Sequence, residues 1–129
     1  MRARTKDMWW GLVVEAPDPV ALAAFYSQLL DWAVVEEEPT HAVVKPPETD
    51  VFVLFQHVPD FVPPVWPGTP DQQRTTMHLD FQVGDLDAAV GEAVALGAKL
   101  ADVQTKDNIR VLLDPAGHPF CLCLDNEEA

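Results

Sequence analysis

The chain repeats itself, and that constrains its fold more than any other feature. Gly11-Leu12-Val13-Val14-Glu15-Ala16-Pro17-Asp18 aligns with His78-Leu79-Asp80-Phe81-Gln82-Val83-Gly84-Asp85. Each segment carries apolar residues at alternate positions: Leu12, Val14 and Ala16 in the first, Leu79, Phe81 and Val83 in the second. That period is the signature of a half-buried strand. Each segment ends at an aspartate placed to cap a helix, where its carboxylate accepts backbone N–H groups. The helical stretches that follow place Leu22, Phe25, Tyr26 and Leu29 on one face, and Leu86, Ala89, Val90 and Ala93 on the other helix's face, with Leu96 beyond. Gly97 stands where the second helix should stop.

Three strand-like runs follow each helix. They span Trp32 to Glu37, His41 to Lys45 and Val51 to Val58, then Lys99 to Val103, Ile109 to Leu113 and Pro119 to Leu124. The breaks between them are rich in Pro, Gly, Asp and Asn, the residues turns demand. Each half therefore reads strand, helix, strand, strand, strand. The first module runs from about Met8 to Val58 and the second from about Thr76 to Leu124, within one domain. The connector between them, Pro59 to Gln73, holds Pro59, Pro63, Pro64, Pro67 and Pro70 and suits neither helix nor central strand.

Composition narrows the classes of function. The 129 residues are 48% hydrophobic and 22% charged, a balance that excludes disorder as the dominant state. Acidic residues outnumber basic ones 21 to 8, a net charge of −13. Nucleic acid and anionic membrane are polyanions, so neither is an expected partner. The triplet Glu36, Glu37 and Glu38 and the tail residues Asp125, Glu127 and Glu128 read as solvated charge runs. No apolar run approaches the roughly 20 residues that span a bilayer. Met1-Arg2-Ala3-Arg4 resembles the start of a signal peptide, but the apolar stretch behind it ends at Glu15, and none is expected. Cys121 and Cys123, one residue apart on a strand, share a face and do not suit a disulfide. Free thiols suit a reducing cytoplasm.

A doubled βαβββ unit resembles the vicinal oxygen chelate superfamily, which includes glyoxalase I, bleomycin-resistance proteins and extradiol dioxygenases. Asp18-Pro19, Ala24-Phe25-Tyr26 and Leu29-Leu30-Asp31-Trp32 are similar to its first-helix signature. His78 to Val83 with Asp85-Leu86-Asp87 resembles the start of its second module, and Asp114-Pro115-Ala116-Gly117-His118-Pro119-Phe120 its last hairpin. With Pro63-Pro64-Val65-Trp66-Pro67, these are most like the bacterial glyoxalase-like domain subgroup. The resemblance implies an α+β fold in which two tandem βαβββ modules form a curled, cup-shaped mixed sheet with helices outside. It also implies a homodimer.

Metal-using members of the superfamily place one ligand on the first strand and one on the last strand of each module, usually His or Gln, Glu, His and Glu. Carried onto this chain, the second-module first-strand position is His78, and its first-module counterpart is Gly11, which has no donor. The last-strand positions fall on Cys121 and near Gln56. The usual metal centre is therefore not expected; a metal, if present, would use His78, Gln56 and Cys121.

If Leu79, Phe81 and Val83 face the helix, then His78, Asp80 and Gln82 share the opposite face. Asp80 is placed to orient or charge-stabilise His78 as an acid or base, which makes these two the catalytic candidates. Further ligand-binding candidates are Gln56, Trp66 in its proline frame, Arg110 as a partner for a carboxylate, His118 in its turn, and Cys121. Each also has a purely structural use: Trp66 as a latch, Arg110 in a surface ion pair, His118 in the turn, Cys121 as inert core. His41 and His57 read as surface. The expected function is small-molecule binding without the usual metal. A cationic, partly aromatic ligand suits the charge and the four tryptophans. The alternative is a metal-dependent lyase, isomerase or dioxygenase centred on His78, and a third reading is metal-free acid–base catalysis by His78 and Asp80.

Overall fold

Helix capping sets the boundaries of both halves. The computed structural model describes residues 1–124, so Asp125, Glu127 and Glu128 lie outside it. Strand β1 (Trp10–Ala16) leads to Asp18, whose Oδ1 accepts the Ala21 backbone N–H at 3.1 Å, and helix α1 (Pro19–Leu30) begins there. Pro19 fits the first turn because its missing N–H would have no helical partner. The helix ends at Asp31, a left-handed residue (φ 56°) whose N–H donates to the Ser27 carbonyl. Aspartate is among the few side chains that tolerate this conformation. The second half repeats the device. Asp85 Oδ1 accepts from Ala88 N at 3.0 Å, α2 (Leu86–Leu96) follows, and Gly97 (φ 119°) closes it.

The strands form two four-stranded mixed sheets, so the fold is α+β. In the first unit, Met1–Phe61, β2 (Ala33–Glu38), β3 (His41–Lys45) and β4 (Val51–His57) join β1 in the order β1-β4-β3-β2. In the second, from Val62 onward, β5 (Leu79–Val83), β6 (Lys99–Leu100), β7 (Ile109–Leu113) and β8 (Pro119–Leu124) take the matching order β5-β8-β7-β6. In both units the first strand pairs parallel to the last and the other pairings are antiparallel. The connector forms no helix or strand, only an isolated bridge between Val65 and Arg74.

Each helix buries its apolar face on its own sheet. Leu22, Phe25 and Tyr26 of α1 are buried with Val44 and Phe55, and the Tyr26 ring stacks on Phe55 at 5.4 Å. Phe55 is fully buried, so truncation to Ala would cost about 3–5 kcal/mol. In the second unit, buried Leu86 and Ala93 belong to α2, and Phe120, Leu112 and Leu122 supply the buried sheet face. Two sequence expectations shift. The run from Lys99 to Val103 yields a strand of only two residues, and β2 carries a bulge between Val34 and Glu36. All of β2 is exposed, and its glutamates discourage edge-to-edge pairing.

The candidate site on strands β5 and β8

Parallel pairing of β5 with β8 sets Asp80 opposite Cys121 and Gln82 opposite Cys123. Alternation then places His78, Asp80, Gln82, Cys121 and Cys123 on one face, and Leu79, Phe81, Phe120 and Leu122 on the other. Antiparallel pairing with β7 adds Val111 opposite Cys121 and Ile109 opposite Cys123. The polar face has a donor cluster at one edge and an apolar floor beside it. His78 Nε2 lies 3.1 Å from Asp80 Oδ1, and both side chains are well exposed, at 47% and 62%. Ligand atoms of His78, Asp80 and Cys121 all lie within 4.8 Å of one another. Buried Ala101, Val111 and Cys121 form the floor, and Trp66, Ile109 and Cys123 pack against it. The proline-framed Trp66 thus packs against this floor.

The thiols are not activated. Burial pushes the Cys121 thiol up to about 12, and the neighbouring Asp80 carboxylate and Cys123 add to the shift. Cys123 is raised as well, chiefly by burial and then by Asp80. A nucleophilic cysteine needs a nearby cation, whereas Cys121 has a carboxylate directly across the strand pair. Both cysteines are free thiols.

A residue the sequence reading passed over supports this floor. Gln104 Oε1 accepts from Val111 N at 2.9 Å, while its Nε2 donates to the carbonyls of Ala101 and Val111 at 3.0 and 2.9 Å. Its amide takes the place of a longer β6, satisfying backbone groups that strand pairing would otherwise use. Only its position in a short polar loop after the strand-like run hinted at this role.

Comparison with known proteins agrees with this architecture. Residues 11–123 match the family model described as a glyoxalase-like domain. The chain belongs to the glyoxalase-like domain family. No curated protein matches its sequence. Among solved structures, it is similar to a glyoxalase/bleomycin resistance protein/dioxygenase family enzyme from Burkholderia phytofirmans, with 21% identity, 88% of this chain and 95% of the other covered, and a TM-score of 0.65. It is also similar to the fosfomycin resistance protein FosX of Mesorhizobium loti, with 13% identity, 96% and 97% coverage and a TM-score of 0.64. An antibiotic binding protein from a Streptomyces species aligns at 15% identity, over 95% and 99% of the two chains, with a TM-score of 0.61. Among the described residues, no helix of this glyoxalase-like domain is long and apolar enough to cross a membrane.

The other candidates fall in different places. Gln56 lies on β4 of the first unit, exposed, in register with Glu15 and His41. Arg110 is opposite Leu122, on the sheet face away from His78, and its Nη1 donates to the carbonyls of Lys106, Asp107 and Ile109. His118 sits in the β7–β8 turn, where its N–H and that of Ala116 both donate to Asp114 Oδ1. With Gly117 at φ 94° and a Cβ there only 3.0 Å from Pro63, the Asp-Pro-Ala-Gly-His segment is accounted for by turn geometry. His41, read as surface, pairs with Glu36 at 2.8 Å across β2 and β3.

For a metal of the kind the family resemblance implies, the donors present fit in part. Gly11 offers none, but Asp80 joins His78 and Cys121 in the second unit. These three residues would hold the ion.

Proposed function

We propose that this glyoxalase-like domain binds a small molecule on the open face of β5 and β8. The observation that carries the reading is the His78, Asp80 and Cys121 cluster beside the Trp66-lined floor, polar anchors at the edge of an apolar surface. The Asp80 carboxylate supplies an acceptor for a cationic group, and the partly exposed Trp66 and Ile109 supply contact for a planar apolar one. A net charge of −13 raises the local concentration of cations and speeds their arrival. Among proteins of this fold, one is an antibiotic binding protein, which supports binding as a use of the scaffold. The setting of the reading is a cytoplasmic homodimer, which suits the free thiols and the exposed Trp9 and Trp10.

Equilibrium dialysis against a panel of cationic aromatic compounds, with proflavine as the reference, tests this. Saturable binding that weakens about fivefold in Asp80→Asn, the ~1 kcal/mol of an exposed charge contact, supports it. Absence of saturable binding by any member of the panel contradicts it.

A second reading is favoured by the three clustered donors. A divalent cation bound there would act as a Lewis acid on substrate oxygens, the chemistry of a lyase, isomerase or dioxygenase. The contribution of the chain itself would be to anchor substrate at the edge of β5 and to hold its apolar part against Trp66.

A further inference from the structure

We infer that the second unit alone forms a three-donor site for a divalent cation of the zinc class, built from His78, Asp80 and Cys121. This does not rest on the ligand-binding reading; it deepens the second reading by naming the donors and the class of ion. The resemblance implies two donors from each module, with no sulfur among them. Here all three come from two paired strands of one module, and one of them is a thiol.

Backbone geometry brings the donors together. His78 and Asp80 are two residues apart, so strand alternation points both to one face. Cys121 is the register partner of Asp80 on β8. The three donor atoms lie within 4.8 Å of one another, and the His78 to Asp80 pair is 3.1 Å apart. Two donors around one tetrahedral zinc ion are separated by about 3.6 Å, given bond lengths of about 2.1 and 2.3 Å. The longest separation must therefore shorten by about 1 Å, within reach of side-chain rotation at exposed His78 and Asp80. Cys121, the one buried donor, sits on the fixed floor.

The donor types select the ion. A soft sulfur with an imidazole suits zinc or cobalt, whereas magnesium and calcium prefer oxygen alone. Three protein donors leave a position open, as in catalytic and not structural zinc sites. A cation here would occupy the Asp80 carboxylate, so it would compete with a cationic organic ligand for this face.

Cobalt(II) titration of untagged, chelator-treated full-length protein tests the site without any organic ligand. The expected result is a stoichiometric near-ultraviolet sulfur-to-cobalt charge-transfer band with visible bands of four-coordinate intensity. Zinc should bleach both, whereas magnesium should not. Cys121→Ser should lose the charge-transfer band and Cys123→Ser should keep it. His78→Ala and Asp80→Asn, both at exposed positions, should weaken cobalt binding by about 10–100-fold or more, the loss seen when even supporting residues of metal sites are removed. No charge-transfer band in the wild-type protein, or a band that survives in Cys121→Ser, overturns the inference. Proflavine binding is measured separately in metal-free protein, so failure of one claim leaves the other standing or falling by its own result.

Discussion

The ring of Phe52 lies across Gly11. The two residues are register partners on β4 and β1, and a Cβ built on Gly11 would stand 2.6 Å from Phe52 Cδ2. Trp9 packs against the same ring at 5.3 Å. In the internal repeat Gly11 corresponds to His78. The two halves have thus taken opposite uses of one position: the first is covered by an aromatic ring, the second carries a polar donor. A side-chain metal ligand from β1 at this position is excluded by chemistry, because glycine has no side chain, and the space a Cβ would take is filled by Phe52.

Substituting Gly11→Ala should therefore destabilise the protein by about 1–3 kcal/mol, the usual cost of overpacking. Denaturant titration would measure it. The penalty should shrink in a Phe52→Ala background, giving a coupling energy in a double-mutant cycle. Equal penalties in both backgrounds would show that the ring is not what the new methyl meets.

Gln104→Ala removes three hydrogen bonds and leaves the Val111 N–H without its side-chain acceptor. Val111 is buried, so the loss should be about 1–3 kcal/mol in urea unfolding. Amide hydrogen exchange at Val111 should accelerate more than at Phe55 in the other unit. Uniform acceleration at both positions would count against a local staple.

Cys121 should alkylate slowly in the metal-free protein at neutral pH, with a rate that rises with pH toward about 12. Burial, Asp80 and Cys123 all favour the protonated thiol. The folded-state value is raised above the unfolded one, so the associated stability is present below the unfolded thiol's pKa. It is lost as pH rises through the folded value. Asp80→Asn removes one of the causes and should speed iodoacetamide labelling of Cys121 at fixed pH. Unchanged labelling in that variant would mean that burial alone protects the thiol.

Much of this architecture is legible in the sequence because it is encoded locally. Asp18, Asp85 and Gly97 cap helices through groups within three or four residues, and alternation along Leu79, Phe81 and Val83 fixes which face carries His78 and Asp80. The turn at Asp114 is local as well. What sequence reading misses depends on distant partners. Phe52 over Gly11 requires the β1–β4 register, and the shortness of β6 requires a side chain that mimics a strand. Arg110 is a local case: its Nη1 donates to the carbonyls of Lys106, Asp107 and Ile109, one to four residues away, on the face opposite His78. Strand alternation shows Asp80 as a partner for His78, yet its place beside Cys121 emerges only from strand pairing.

The most direct test of small-molecule binding at the β5–β8 face is nuclear magnetic resonance mapping of a proflavine titration on isotope-labelled, metal-free protein. The expected result is that shifts concentrate at the amides of His78, Asp80, Gln82, Cys121 and Cys123 and at the Trp66 indole N–H. Shifts confined to α1, β2 or the Trp9 and Trp10 indoles, with the β5–β8 face unmoved, would contradict it.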